Sequence, residues 1–296
     1  MSRQVRPRRS ALYMPGSNPR ALQKGRSLAA DALILDLEDA VAPDAKEDAR
    51  TNIIDALAEG GYGQREILIR VNGLETPWGR DDLTAMARSG GDGIVLPKVE
   101  SADMVRKAIS VLESAGAPEE LGLWCMIETP LGVLNAQEIS AASSRMAGFI
   151  MGTSDLAKEL HCLHTPDRLP FITSLNHVIL VARAYGLAAL DGVHLDLADD
   201  AGFDASCRQG LELGFDGKTL IHPKTIDRAN AVFGPDADEI EHSRSIIAAF
   251  EEAQAAGKGV VVLDGKLVEN LHVDNARRIL AMADLIERLE SDSAAA

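Results

Sequence analysis

Charged and polar side chains gather at the ends of short apolar runs along this chain. The residues that end or follow these runs are Asp36, Glu38, Asp39, Arg70, Asn72, Lys98, Glu128, Asp155, Asp191 and His222. Carboxylates outnumber cations in this set, so they would repel one another and take up protons unless a cation joined them. Oxygen ligands of this kind favour Mg²⁺, with Mn²⁺ as the alternative ion.

Glu128 and Asp155 are the carboxylates that we predict to bind this metal. They follow two consecutive apolar runs, so the strand ends that carry them are expected to be neighbours. Two protein carboxylates, completed by waters and a chelating substrate, are typical of a Mg²⁺ site. The alternative for Asp155 is a structural role as the cap of the helix that begins at Leu156.

Arg70 ends the apolar run 67–69 and is a candidate catalytic residue. A guanidinium at this place needs an anionic partner, because an unpaired charge away from water is costly. It could bind a substrate carboxylate or stabilise a developing oxyanion. The alternative is a structural ion pair with Asp36 or Glu38.

Short apolar runs alternate with amphipathic stretches over most of the chain, and this predicts the elements that position these residues. The runs are 10–15, 32–37, 66–71, 93–97, 123–127, 148–151, 187–192 and 218–221. Strands separated by helices indicate βαβ units and a parallel sheet. Eight runs in 296 residues predict a (β/α)8 TIM barrel, in which the carboxyl ends of the strands build the active site.

The helices between the runs carry their own start and stop signals. Asp44 is predicted to cap a helix that begins at Ala45, and Gly60-Gly61 to end it. The segment 155–185 is long for one crossover, so it is expected to hold two helices with a loop near 164–169. The barrel pattern ends near Phe233. We therefore predict a catalytic barrel domain, 1–233, and a C-terminal helical extension, 234–296, that serves as a lid or an oligomer contact.

Composition and charge indicate which partners and which cellular compartment to expect. The net charge of −15 argues against nucleic acid, which needs a basic face. The three cysteines are widely spaced, which favours reduced thiols in a cytoplasmic setting. No apolar stretch reaches the ~20 residues of a membrane span, and the basic start lacks the apolar region of a secretory signal, so we expect no membrane partner.

Several motifs in order give the chain a recognisable pattern. They are RRSALYMPG (8–16), LDLEDAV (35–41), IRVNG (69–73), LPKVE (96–100), MIETP (126–130), GTSDL (152–156), FDGK (215–218) and IHP (221–223). Together they make the chain similar to the HpcH/HpaI aldolase and citrate lyase β-subunit family, from about Arg8 to Asn275.

The resemblance implies a (β/α)8 barrel with Mg²⁺ held by Glu128 and Asp155 and with Arg70 as the catalytic arginine. It implies a carbon–carbon lyase that cleaves a 3-hydroxyacyl-CoA of the malyl-CoA or citramalyl-CoA type into acetyl-CoA, or a related acyl-CoA, and a 2-oxo acid. Glu128 would also contact the substrate. Family members are usually trimers or hexamers, so a homo-oligomer is expected.

The resemblance also implies residues that bind coenzyme A and a lid that donates a proton. Arg9, Lys46 and Arg50 are the candidates for the CoA phosphates, although Lys46 and Arg50 could equally be surface charge. Relatives carry a lid acid in a Met-Ile-Asp context, whereas this chain has Glu269 there and Asp264 nearby. In the expected mechanism, Arg70 stabilises the thioester enolate that leaves, and Glu269 or Asp264 protonates its carbon.

Three other functions fit the same motifs. The chain could act on a citryl group carried by acyl-carrier protein, as the citrate lyase β-subunit does. It could be a 2-oxo acid aldolase that uses free pyruvate and aldehydes. It could also be a non-catalytic relative that binds acyl-CoA, a reading that Glu269 favours and that intact Glu128, Asp155 and Arg70 oppose.

Overall fold

Eight parallel strands close into a barrel in the order of the sequence. This computed structural model describes residues 6–255, 261–263 and 265–295, with side chains up to 291. The barrel strands are β1 (Ser10–Pro15), β2 (Ala32–Asp36), β3 (Glu66–Arg70), β4 (Gly93–Leu96), β5 (Gly122–Ile127), β6 (Met146–Met151), β7 (Ala188–Asp191) and β8 (Gly217–Leu220). Each lies within two residues of a predicted run, so the predicted TIM barrel is confirmed.

Helices cross from each strand to the next around this barrel. They are α1 (Pro19–Gly25), α2 (Lys46–Glu59), α3 (Gly79–Met86), α4 (Ala102–Ser114), α5 (Pro130–Leu134), α6 (Ala136–Ser140), α7 (Thr153–Leu160), α8 (Ile172–Ala184), α9 (Asp200–Leu213) and α10 (Ile226–Phe233). The two helices expected in 155–185 are α7 and α8. Gly60 follows α2 at a φ of 74°, a conformation that glycine adopts readily, so the predicted stop is confirmed.

The predicted cap at Asp44 is wrong. Pro43–Ala45 forms a 3-10 turn, α2 begins at Lys46, and the residue before it is Ala45, which makes no side-chain capping bond. The proline ring fixes the first φ of the turn, so the chain already curves before the α-helix begins.

Alternation along the strands separates two apolar layers. One face of the strands contributes a compact cluster inside the barrel, which includes Ile34, Leu68, Trp124 and Ile150. The opposite face packs against the helices and forms the larger core. Trp124 fills the interior because Gly148 leaves room: a Cβ there would lie 2.4 Å from the indole ring. The packed interior leaves the strand ends as the place for a site.

The C-terminal extension consists of two long helices and a hairpin. These are α11 (Ala237–Ala255), β9 (Val261–Leu263), β10 (Lys266–Val268) and α12 (Asn270–Ala295). The hairpin is antiparallel and packs on α11 and the start of α12 through a small apolar cluster. The boundary at 233 coincides with the end of α10, but the division into two domains stays a prediction.

The extension is tied to the amino-terminal end of the barrel. The guanidinium of Arg9, next to the start of β1, lies 3.1 Å from the Glu290 carboxylate of α12. A crevice of about 840 Å³ separates α12 from the barrel beside this ion pair. Within the described ranges, no helix is both long and apolar enough to cross a lipid bilayer.

Candidate active site

Arg70 is held at the carboxyl end of the barrel by Asp36 of the neighbouring strand. The two residues are register partners at the ends of β3 and β2. Arg70 Nε and Nη2 donate to the two Asp36 carboxylate oxygens at 2.7 and 2.6 Å. Such a bidentate pair fixes the plane of the guanidinium. Asp36 also accepts hydrogen bonds from the N–H groups of Glu38 and Ala40, so the carboxylate that holds Arg70 is itself fixed in place.

The remaining edge of the Arg70 guanidinium faces the interior of the site. Its Nη1 lies 2.8 Å from Glu38 Oε2, and its Cζ lies 4.8 Å from the centre of the Tyr13 ring. Burial alone would lower the pKa of Arg70, but the hydrogen bonds and charge of Asp36, with Glu38, raise it overall. Arg70 therefore stays cationic. The ion pairs with Asp36 and Glu38, which were the structural alternative for Arg70, exist, and they hold the cation at the carboxyl end of the barrel.

Glu128 is a buried carboxylate that lacks a full counter-charge. It follows β5 and accepts the backbone N–H of Lys98 at 2.7 Å. Burial, with the nearby charges of Asp155 and Glu38, raises the pKa of Glu128 to about 7. Gly152 makes room for it, since a Cβ there would lie 2.3 Å from Glu128 Oε2. A cation beside this carboxylate would relieve the cost of ionising it.

Asp155 lies in the first turn of α7 and shares a neighbour with Glu128. Gly152, not Asp155, occupies the N-cap position of α7, so the capping alternative for Asp155 is not what the structure has. Asp155 Oδ2 lies 3.8 Å from Lys98 Nζ, and its charge acts on Glu128. The side chain is about one-third exposed (31%), which leaves oxygens open to the barrel mouth.

The carboxylates in this region suit a Mg²⁺ ion that keeps part of its water shell better than an ion held entirely by protein ligands. Across the described part of the chain, no group of three or more His, Cys, Asp and Glu side chains is arranged to hold a metal. Mg²⁺ usually retains several waters and uses only one or two protein carboxylates. Glu128 and Asp155, with their oxygen ligands and unbalanced charge, are the residues that would hold it.

Arg9 was predicted to contact CoA phosphates, and its position corrects this prediction. It precedes β1 at the amino-terminal end of the barrel, opposite Arg70. Its guanidinium donates to both oxygens of buried Asp31 at 2.9 Å and to Glu290 at 3.1 Å. Arg9 is only 6% exposed. These contacts make it a structural residue that joins the barrel to α12.

Lys46 and Arg50 lie nearer the site but are engaged inside the protein. Lys46 Nζ donates to the carbonyl oxygens of Leu37 and Glu38 at 2.8 and 2.7 Å. Arg50 pairs with Asp82 at 2.8 Å. Both cations therefore stabilise the loops after the strands, and the predicted contact with CoA phosphates finds no support in this geometry.

Two other residues from the strand ends lie outside the site. Asp191 ends β7 but faces the helices, where it accepts from Lys218 Nζ at 2.9 Å and pairs with Arg168. His222 is exposed, and its Nδ1 accepts the N–H of Lys224. Their sequence positions could not distinguish a side chain that faces the barrel mouth from one that faces the helices.

The predicted lid acids are in the extension. Glu269 immediately precedes α12 and is exposed, and its N–H donates to His272 Nδ1 at 3.0 Å. Asp264 lies outside the described residues. The hairpin of β9 and β10, which precedes Glu269, packs on α11 and α12, so Glu269 is carried by the extension and not by the barrel.

Tyr13 is a site residue that sequence analysis missed. Its ring stacks under Arg70, and its hydroxyl donates to Met126 Sδ at 3.8 Å. Burial raises the pKa of Tyr13, and only the charge of Arg70 opposes this. The clue was its place in β1, where alternation turns it toward the barrel interior.

Comparison with known proteins places this arrangement in a family. The model of the family described as HpcH/HpaI aldolase/citrate lyase matches residues 9–223. A (3S)-malyl-CoA thioesterase from Cereibacter sphaeroides is 50% identical over 97% of this chain and 98% of that protein. The citrate lyase subunit beta of Escherichia coli K12 is 36% identical over 96% and 95% of the two chains.

A lyase and a solved structure extend the comparison. An L-malyl-CoA/beta-methylmalyl-CoA lyase from Cereibacter sphaeroides is 35% identical over 95% of this chain and 96% of that protein. The crystal structure of CitE from Mycobacterium tuberculosis with magnesium, acetoacetate and coenzyme A has a TM-score of 0.73, at 28% identity over 93% and 97% of the chains. The chain therefore belongs to the HpcH/HpaI aldolase/citrate lyase family.

Proposed function

We propose that this chain is a magnesium-dependent carbon–carbon lyase. Its substrate is a 3-hydroxyacyl-CoA thioester of the malyl-CoA or citramalyl-CoA type, and its products are acetyl-CoA, or a related acyl-CoA, and a 2-oxo acid. The single observation that carries the proposal is the clamped Arg70 at the same end of the barrel as two carboxylates, Glu128 and Asp155, which both lie near the ammonium of Lys98.

Different residues act on the hydroxy-acid half and on the thioester half of the substrate. Glu128 and Asp155 would hold Mg²⁺, which when bound supplies a Lewis acid for the hydroxy-acid half. Arg70 is a permanent cation whose plane is fixed by Asp36, so it can face the thioester oxygen where charge develops as the carbon–carbon bond breaks. Preorganised charge of this kind lowers the barrier without rearrangement during the reaction.

Glu269, in its protonated form, completes the site by delivering its proton to the enolate carbon of the leaving acyl-CoA; the proton that the substrate hydroxyl loses passes to water, from which Glu269 is protonated again. Glu290 of α12 contacts Arg9 at the amino-terminal end of the barrel, and Glu269 lies before the other end of α12, next to a hairpin that packs on α11 and α12. We assign this lid to the site of a neighbouring copy in a homotrimer or hexamer. Exposed Val262, Leu267 and Leu271 around the hairpin support this.

Hydrolysis of the thioester is the second candidate activity. The thioesterase relative is 50% identical, against 35% for the malyl-CoA lyase. Glu269 is one methylene longer than the expected aspartate. The longer side chain could position a water at the thioester carbonyl, with Arg70 stabilising the same oxygen. Both reactions use one substrate and one oxyanion site, and they differ in which bond breaks.

The state of the cysteine thiols supports a cytoplasmic location. All three cysteines are free, and Cys125 and Cys207 are buried. Free thiols favour a reducing, cytoplasmic setting.

Product analysis with purified protein tests these functions. (3S)-malyl-CoA and Mg²⁺ are supplied, and the products are separated by chromatography. A lyase yields acetyl-CoA and glyoxylate, whereas a thioesterase yields malate and free CoA. Parallel reactions with citramalyl-CoA, citryl-acyl-carrier protein, and pyruvate with an aldehyde test the alternatives. Turnover that persists after chelation of divalent metal, or no turnover of any thioester, would contradict the proposal.

A further inference from the structure

Lys98 adopts a backbone conformation that side chains rarely take. It follows β4 with a φ of 50°, in the left-handed region where glycine is favoured. The Lys98 N–H donates to Glu128 Oε1 at 2.7 Å. Glycine would supply the same N–H without strain, so the backbone hydrogen bond does not explain why a lysine side chain is present here. Strained residues of this kind cluster at functional sites.

The ammonium of Lys98 contacts carboxylates from two other segments. Its Nζ lies 2.9 Å from Glu38 Oε1 and 3.8 Å from Asp155 Oδ2, and the charge of Glu128 also acts on it. The side chain is 42% exposed, so the ammonium faces the open end of the barrel. One partly exposed cation thus lies near both carboxylates that are expected to bind Mg²⁺.

We propose that Lys98 is a resident cation that opposes metal binding until an anionic substrate group draws its ammonium away from Asp155. The inference rests on the proposed metal ligands, Glu128 and Asp155. Without substrate, the ammonium and a divalent cation compete for the same carboxylates, and like charges a few ångströms apart repel. The carboxylate of a 2-oxo acid offers the ammonium another partner. Lys98 is therefore a positioning residue that couples metal binding to substrate binding.

Calorimetric titration with Mg²⁺ alone tests the first half of this proposal. Lys98→Met and Lys98→Gly should each bind Mg²⁺ roughly tenfold more tightly than the native protein, because the competing charge is gone. Lys98→Gly suits the left-handed backbone and keeps the N–H to Glu128, so its folding is not at risk. Lys98→Arg should retain native affinity. Lys158→Met, an exposed lysine of α7 beside Glu159, is the matched control and should also bind as the native protein does.

Repeating the titration with saturating glyoxylate tests the coupling. Glyoxylate should strengthen Mg²⁺ binding in the native protein, and this gain should shrink about tenfold in Lys98→Met and Lys98→Gly, since linkage is reciprocal. Weaker or unchanged Mg²⁺ binding in both variants would overturn the proposal, as would an undiminished gain with glyoxylate. These titrations need no turnover. A chain without lyase or thioesterase activity would therefore refute the proposed function, while the titrations would still decide the role of Lys98.

Discussion

At the scale of single residues, the site depends on how charges are fixed and balanced. Arg70 is locked by Asp36 and keeps one edge toward Glu38 and the barrel mouth. Glu128 is buried, and the negative charges of Asp155 and Glu38 lie near it, more than the single charge of Lys98 can neutralise. These features support the proposed roles of Arg70 as the oxyanion partner and of Glu128 as a ligand of the divalent cation.

Replacing Arg70 separates catalysis from metal binding. Arg70→Ala should lower kcat by about 10²–10³-fold, the usual loss when an oxyanion donor is removed, while the Kd for Mg²⁺ changes little. Steady-state kinetics and calorimetry measure the two effects. Arg183→Ala, which removes an exposed arginine of α8 paired with Asp216, is the control. Equal, large losses of turnover and metal affinity would instead mark Arg70 as a structural arginine.

Glu128 makes metal-free stability depend on pH. Its pKa is about 7 in the folded protein, against 4.5 ordinarily, so the folded state holds this proton more tightly than the unfolded chain does. The free energy of unfolding should therefore fall as pH rises from about 4.5 through 7. Mg²⁺ should restore it above pH 7, where the carboxylate is free to bind the ion.

The measurement is Tm at pH 5.5 and 8.0, with chelator and with Mg²⁺, in the native protein and in Glu128→Gln. The difference between the two proteins isolates this one carboxyl from the other titrating groups. Glu128→Gln should lose both the extra pH dependence and the stabilisation by Mg²⁺. A Mg²⁺ response that survives in Glu128→Gln would rule out Glu128 as a ligand.

At the scale of elements, the sequence predicted where strands end better than which way their side chains face. The eight strands followed from the apolar runs, and the polar residues after those runs gave Arg70, Glu128 and Asp155 as candidate site residues. The same rule wrongly included Asp191, because a one-residue change of register turns a side chain from the mouth to the helix layer. Arg9 was misplaced for a similar reason, since its motif spans the start of β1 and not the end.

The corrected role of Arg9 predicts a loss of stability without a loss of chemistry. Arg9→Met should lower the free energy of unfolding by about 3–5 kcal/mol, because it leaves Asp31 buried without its partner. Glu290→Gln should cost at most about 1 kcal/mol, since the Glu290 side chain is 58% exposed. Denaturant titration measures both. A rise in KM for the CoA substrate in well-folded Arg9→Met, with stability unchanged, would restore the original prediction.

At the scale of the whole molecule, a strongly acidic protein must bind an anionic thioester. The net charge of −15 repels coenzyme A at long range, so attraction must come from local cations and from a metal. The extension adds a second requirement, since it carries Glu269 on a hairpin that packs on its own helices. Sequence could suggest a lid but could not say which copy of the chain it covers.

Mixing two inactive variants tests whether the lid acts on a neighbouring copy. Arg70→Ala lacks the oxyanion partner, and Glu269→Gln lacks the proton donor, so each alone should have little activity. Co-expressed in one oligomer, they should regain a substantial fraction of native turnover, because some sites combine Arg70 of one chain with Glu269 of another. No recovery in a mixed oligomer would place the lid over its own barrel.

The central claim is that Glu128 and Asp155 share one divalent ion beside Arg70. Its most direct test is the anomalous scattering of Mn²⁺ in crystals grown with the ion and glyoxylate. We expect one strong peak per chain at the carboxyl end of the barrel, within ligand distance of both carboxylates. A peak at any other place, or one that touches only one of the two carboxylates, would contradict the account.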